Sequence, residues 1–502
     1  MKKIYYVIIL MLVVVSAHPH QGAIVTLPPP VLPPQGAYYT DIYRNMFAEA
    51  GFDNTAVQNK VQTLWEHFFY GTANQKVYYE VGTDEAYILD VANNDVRSEG
   101  MSYGMMICVQ MDKQTEFNRL WKWAKTRMQY TGGIYQGYFC WQLNQNGTHI
   151  GGSPASDGEE YFIMALLLAS HRWGDGSGIF NYSFEANEIL RHCMRRNDNP
   201  GSNGGVTNLF NSTEKQVVFV PAYSNAGFTD PSYHLPAFYQ LWSLWASDLS
   251  KRPFWADCAA KSRQMFHLFA NATTGLMPDY ANFNGTPYTN NNTEHQHFRY
   301  DAWRCIMNVA MDYAWFKADE GQVALVNKIH NFFNSKGINS YGNLYELNGT
   351  QQNGGSAHSP GLVACNATGA LASNQSIAWD FISDFYNTYI PSGTYRYYDG
   401  LLYFLNYLHL SGNFKIYKPQ NQNSVQNIGN KEIDKIISQN GDFLLFEKEI
   451  KNVKIYNING HNVFSAQNIS KINTSTFNAG IYFVKINTEN GTFTKKIIIN
   501  SK

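Results

Sequence analysis

From about Tyr39 to Lys418, apolar residues recur at intervals of three and four, as on one face of a helix. TEFNRLWKWAKTRMQY, GEEYFIMALLLASHRW, YHLPAFYQLWSLWASDL and RYDAWRCIMNVAMDYAWF are the plainest cases, and Gly-, Asn- and Pro-rich loops separate them. Polar residues with chemical potential stand near the starts of such stretches at Glu99, Asp157, Tyr233 and Asp301. Each interval leaves room for two helices and two loops. That is the spacing of a barrel of helical hairpins whose inner helices present their first turns at one end, although capping alone puts polar residues at helix starts.

After Pro419 the pattern changes. NQNSVQNIGN is polar and turn-rich, and the segments FLLFEKEIKNVKIYNINGHNVFSA and GIYFVKINTENGTFTKKIIIN then alternate apolar and polar residues around Asn459-Gly460 and Asn490-Gly491. Alternation around Asn-Gly predicts antiparallel hairpins. At the other end, Lys2-Lys3 precede the run YYVIILMLVVV and then small residues. The run is far short of the roughly 20 apolar residues that span a bilayer, so it reads as a signal peptide rather than an anchor. The organisation expected is therefore signal peptide 1–17, Pro-rich spacer 18–38, all-α region 39–419, linker 420–440 and a small all-β domain 441–502.

Composition narrows the partners. With 38 basic against 39 acidic residues and a formal net charge of −1, the 502-residue chain lacks the basic footprint of nucleic-acid binding and the polybasic attraction to anionic membranes. Aromatic residues reach 15%, with 34 Tyr and 11 Trp, many beside Gly, Asn and Asp. That mixture suits sugars, since flat rings stack on C–H faces and polar tips reach hydroxyls, but it also suits a large aromatic core. The six cysteines have no metal-type spacing, and several lie in apolar helical stretches, which predicts buried thiols.

Cleaving a glycosidic bond needs one carboxylic acid to protonate the leaving oxygen and one carboxylate to activate water or attack carbon. Glu99 lies in VRSEGMSYGMM, among residues small enough for something to approach closely. Asp157 lies in SPASDGEEYF, and Asp301 in RYDAWR with Arg304 three residues on, on the same helical face. Each also has a plain reading, as a first-turn acid, a helix cap and an intrahelical ion pair respectively.

SEGMSYGMM, YFCWQL, SDGEEYFIMALLLASHRWG, FTDPSYHLPAFYQLW, YDAWR and YRYYDGLLYFLNYLHLSGNFKIY occur in that order and together resemble glycoside hydrolase family 8, most of all its reducing-end xylose-releasing exo-oligoxylanases. The resemblance runs from about Tyr39 to Pro419. It implies an (α/α)6 barrel and hydrolysis of β-1,4-xylosidic bonds with inversion, with no metal and no cofactor. It also implies Glu99 as general acid, Asp301 as base with Arg304 beside it, and Asp157 as the acid that holds the distorted sugar. Tyr233 falls beside the attacking water and Trp141 on a stacking platform. Those exo-enzymes carry a Leu-His-Pro kink that closes the cleft; here GGSAHSPGLVACNATGAL keeps His358 but has Ala357 and Ser359 at the flanks. His358 then either reads the reducing-end hydroxyl or caps a helix, and an endo-xylanase with an open cleft stands as the alternative. Rivals of other kinds are a glycan-binding protein that has lost its chemistry and a polysaccharide lyase. The C-terminal KIYNINGHNVFS…NAGIYFVKINTENGTFTKKIIIN resembles a type IX secretion sorting domain, which implies export to the cell surface or medium and the secretion machinery as a partner.

Overall fold

The computed structural model describes residues 27–199, 201, 204–289, 293–419, 437–440, 442–457, 461–488 and 491–499. The expected signal peptide 1–17 and most of the expected linker lie outside these residues. Two compact units result, split between Tyr417 and Lys418.

Twelve principal helices build the first unit: α1 Asn54–Trp65, α2 Ser98–Gln110, α3 Gln114–Trp123, α4 Ser156–Trp173, α5 Tyr182–Cys193, α6 Pro236–Trp245, α7 Arg252–Phe269, α8 Arg304–Phe316, α9 Gly321–Lys336, α10 Pro360–Thr368, α11 Ala378–Asn387 and α12 Tyr398–Leu410. Even-numbered helices are buried nearly all round, α2 along almost its whole length, while odd-numbered ones such as α3 bury one face and leave Glu and Lys outside. A helix that is apolar all round needs neighbours on every side, and an amphipathic one needs a single face covered. The chain therefore sorts itself into an inner ring and an outer ring. The inner ring closes through contacts of α2 with α4, α6 with α8, α8 with α10, α10 with α12, and α12 with α2. Between α4 and α6, the rings of Tyr161 and Phe238 meet at 5.1 Å. This is the (α/α)6 barrel.

Close approach explains one sequence oddity. A Cβ on Gly100 in α2 would lie 2.4 Å from the Tyr397 ring at the head of α12, so only glycine admits that ring where the barrel closes. All six cysteines are buried and unpaired, as the apolar surroundings predict.

Two boundaries differ from expectation. Residues from 27 onward in the expected spacer pack on the barrel: Leu27 and Leu32 touch its core, and Trp379 Nε1 donates to the Pro28 carbonyl at 2.7 Å. Proline-rich composition marks an extended backbone, not an undocked one. The second unit also begins earlier than 441, because Ile437–Asn440 is already a strand; at four residues, two of them polar amides, it carries too little alternation to be recognised.

That second unit has seven strands: β1 Ile437–Asn440, β2 Phe443–Ile450, β3 Asn452–Asn457, β4 Asn462–Ala466, β5 Ile469–Asn473, β6 Gly480–Thr488 and β7 Gly491–Ile499. They form antiparallel sheets ordered β4-β3-β6-β7 and β5-β2-β1. The alternating apolar positions, among them Leu444, Val453, Ile455, Val484 and Ile486, make a core of their own. The paired strands flanking the two Asn-Gly dipeptides, β3 with β4 and β6 with β7, are antiparallel neighbours as the turns predict.

Candidate active site

Inner helices bring their N-terminal ends together at one end of the barrel. Glu99 and Asp157 lie in the first turns of α2 and α4. Asp301 opens the 3-10 turn Asp301–Trp303 that runs into α8, and Tyr233 closes the turn Pro231–Tyr233 ahead of α6. Residues far apart in sequence thus converge on Arg304, the first residue of α8.

Arg304 is 2% exposed and reaches all three carboxylates. Its Nη1 donates to Glu99 Oε2 at 2.9 Å and to Asp157 Oδ2 at 3.1 Å, while Nη2 donates to Asp301 Oδ1 at 2.9 Å. Nη1 also donates to the Tyr103 hydroxyl at 2.8 Å, and the Tyr233 ring lies 5.5 Å from the guanidinium carbon. An unpaired buried guanidinium would be prohibitively costly; here each donor edge has an anionic acceptor. Asp157 is not the ordinary helix cap: its Oδ1 accepts only the N–H of Gly158, at 2.8 Å, and the N-cap position belongs to Ala155.

The three acids differ in access: their side chains are 18% exposed for Glu99, 7% for Asp157 and 30% for Asp301. Burial pushes Glu99 up to about 7, against the pull of Arg304 and with the push of the Asp157 and Asp301 charges. Burial likewise raises Asp157, with Arg304 opposing. The Tyr233 phenol is pushed well up, by burial first and then by the charges of Asp157, Asp230 and Asp301, so it is neutral. One carboxyl that holds its proton to near neutrality thus stands beside a more accessible one, an arrangement suited to acid–base chemistry.

Further groups, not singled out from sequence, complete the cluster. The Tyr397 hydroxyl donates to the second oxygen of Glu99 at 3.2 Å, and Tyr398 donates to the carbonyl of Tyr300, next to Asp301, at 2.6 Å. Both tyrosines lie in YRYYDG, the start of a stretch that carries the family resemblance without marking either of them as a site residue. Asp230 and Asp279 are buried acids, raised by burial first and also by the charge of Asp301; as loop residues they have no periodic pattern to betray them.

Trp141 is half-buried and its carbonyl accepts from Ser98 N at 3.0 Å, which fixes it beside the start of α2. The Arg97 guanidinium lies 5.6 Å from its ring. His358 stands outside the arginine-centred cluster. Its Nδ1 pairs with the Tyr341 carbonyl at 3.0 Å and its Nε2 with Asp384 at 3.2 Å. Burial opposes its charge, but these two acceptors outweigh burial and raise its pKa. It does not cap α10, where Ser359 holds the N-cap position.

The family profile described as glycosyl hydrolases family 8 matches residues 79–411. The chain belongs to glycosyl hydrolases family 8. The profile of the secretion system C-terminal sorting domain matches residues 433–500, so the β unit is such a domain. The reducing-end xylose-releasing exo-oligoxylanase Rex8A of Paenibacillus barcinonensis is 41% identical over 384 residues, 76% of this chain and 99% of the relative. The reducing end xylose-releasing exo-oligoxylanase of Halalkalibacterium halodurans is 43% identical over 390 residues, 77% of this chain and 98% of the relative. The solved structure of Rex8A complexed with xylose superposes with a TM-score of 0.72, covering 76% of this chain and 100% of that one. Family membership makes this chain a glycoside hydrolase. Among the described residues, no helix is long and apolar enough to cross a membrane.

Proposed function

We propose that this glycoside hydrolase removes xylose from the reducing end of β-1,4-xylo-oligosaccharides with inversion of the anomeric carbon. The observation that carries the reading is the likeness, across nearly their full length, to relatives named for that activity. In this mechanism Glu99 is the general acid: its raised pKa keeps a proton available near neutrality for the leaving oxygen. Asp301, the most exposed of the three acids, is the base that takes a proton from the attacking water, and the Tyr233 hydroxyl helps to orient that water. Asp157 holds the hydroxyls of the distorted sugar at the cleavage point. Arg304 stands between Glu99 and Asp301 and keeps the two carboxyls from sharing a proton. Inversion, general to this family, needs room for that water between the two carboxyls, which inverting enzymes hold about 6.5–9.5 Å apart. Trp141 stacks on a sugar face.

In the same reading His358 marks the reducing-end wall, and it contacts a sugar only by exchanging Tyr341 or Asp384 for a hydroxyl. A second reading, an endo-acting xylanase, is favoured by Ala357 and Ser359, which are smaller and less rigid than the Leu and Pro of the closed wall. Export through a type IX pathway, with removal of residues 1–17 and of the sorting domain, belongs to the proposal as well.

The test is a time course on xylohexaose labelled at its reducing end, with anomers followed by NMR. Early labelled xylose, and α-configured new reducing ends, support the exo reading. Early xylobiose and xylotriose would replace it with the endo reading, and absence of hydrolysis would reject xylan as substrate.

A further inference from the structure

Asp301 stands at a helix start that has no local cap: neither Tyr300, ahead of its 3-10 turn, nor Trp303, ahead of α8, caps with a side chain. The donor exposed at that start, the N–H of Ala302, is taken instead by Asp279 Oδ1 at 3.1 Å, from a loop more than twenty residues upstream. Its other oxygen pairs with His295 Nδ1 at 3.2 Å. Asp279 is 2% exposed, so its carboxylate must find partners inside the protein, and these two supply them.

The segment is built to hold that position. Asp279 N donates to the His297 carbonyl at 3.0 Å and Tyr280 N to the His295 carbonyl at 2.9 Å. The Tyr280 ring stacks on His295 at 4.1 Å. Ala281 and Thr229 exchange backbone hydrogen bonds, which ties the loop of Asp279 to the one leading into Asp230 and Tyr233. Burial and the charge of Asp301 raise the pKa of Asp279, to about 6, while the His295 hydrogen bond pulls it down.

We propose that Asp279, braced by His295, is a positioning residue for Asp301: it is the remote cap that fixes the peptide between Asp301 and Ala302, and with it the direction of the base. The inference rests on Asp301 being that base. It uses an acid in preference to an amide because a carboxylate at a helix start is favoured by the helix dipole and can accept from the His295 ring at the same time.

Steady-state kinetics of the full chain on xylo-oligosaccharides test it, with folding checked by circular dichroism and thermal melting. Asp279→Ala loses kcat by about 30- to 100-fold with KM within about twofold, as misplacement of a reacting group by about 1 Å does. Asp279→Asn, which keeps an acceptor for Ala302 N–H, restores kcat to within about fivefold of wild type, the residual loss reflecting the weaker neutral hydrogen bond. His295→Ala, which leaves the cap but removes its brace, loses kcat by about three- to tenfold, the worth of one hydrogen bond. A folded Asp279→Ala with wild-type kcat, or one whose KM rises in step with the loss, would overturn the proposal. So would a folded Asp279→Asn that is no better than Ala. If Asp279→Ala does not fold, His295→Ala decides: wild-type kcat in that variant rejects the pair. Asp301→Asn is measured alongside. Wild-type turnover there removes the base assignment and this inference with it, whereas an inactive Asp301→Asn beside an undisturbed Asp279→Ala removes this inference alone.

Discussion

At Glu99 catalysis and stability pull in opposite directions. Its ordinary pKa of 4.5 becomes about 7 in the folded protein, through burial above all. A carboxyl raised in this way favours the folded state below its ordinary pKa, and that advantage is lost as pH rises from 4.5 through 7. Glu99→Gln, which removes the ionisation, is expected to melt like wild type near pH 4.5 and to be more stable by about 1–3 kcal/mol at pH 8. Melting curves of both proteins across that range check the sign. The same substitution is expected to lower kcat by about a thousandfold or more, since no proton reaches the leaving group. In wild type, kcat/KM is expected to fall as pH rises through about 7, where Glu99 loses its proton. Arg304 offers a companion test: Lys has no planar fork to span three carboxylates, so Arg304→Lys should cost kcat about a hundredfold, read in the same assay. Of this residue-scale chemistry, the i,i+3 pair of Asp301 with Arg304 was legible as a helical spacing. That Arg304 also gathers Glu99 and Asp157 was not, since those contacts bridge 205 and 147 residues of chain.

Between elements, the decisive contact is the closure of the inner ring where α12 meets α2. Tyr397 enters the space over Gly100 and from there reaches Glu99. Gly100→Ala places a Cβ into that ring, and overpacking of this kind costs about 1–3 kcal/mol. The expected outcome is a lowered melting temperature together with reduced kcat, because Tyr397 must move off Glu99; an unchanged kcat in the folded variant would separate ring closure from catalysis. Glycine at this position was readable as a sign of close approach. Its partner was not readable, because Tyr397 comes from the other end of the barrel sequence. Of the four plainest helical stretches, TEFNRLWKWAKTRMQY is the outer helix α3, where one-sided burial writes itself as a 3.6-residue period. The other three are the inner helices α4, α6 and α8, whose long apolar runs show the helix, while burial on every side was decided by the ring they close.

For the whole molecule, the two units each bury their own core. A chain ending at Lys418 is therefore expected to keep kcat/KM within about twofold of the full chain, since a domain with its own core folds by itself. Calorimetry of the full chain should resolve a second transition that the truncated chain lacks, and loss of barrel activity on truncation would show that the units depend on each other.

The chain's order of apolar and polar residues determined the helical hairpins, the strands after Pro419, the buried thiols and the acids worth suspecting, because burial and capping are local demands that every element must meet in its own sequence. Which acids share one guanidinium, which loop caps the turn of Asp301, and that His358 spends both ring nitrogens on Tyr341 and Asp384 were decided only by the fold. Those contacts are made across the barrel end, between side chains whose separation along the chain carries no period, and they exist only once the inner ring has closed.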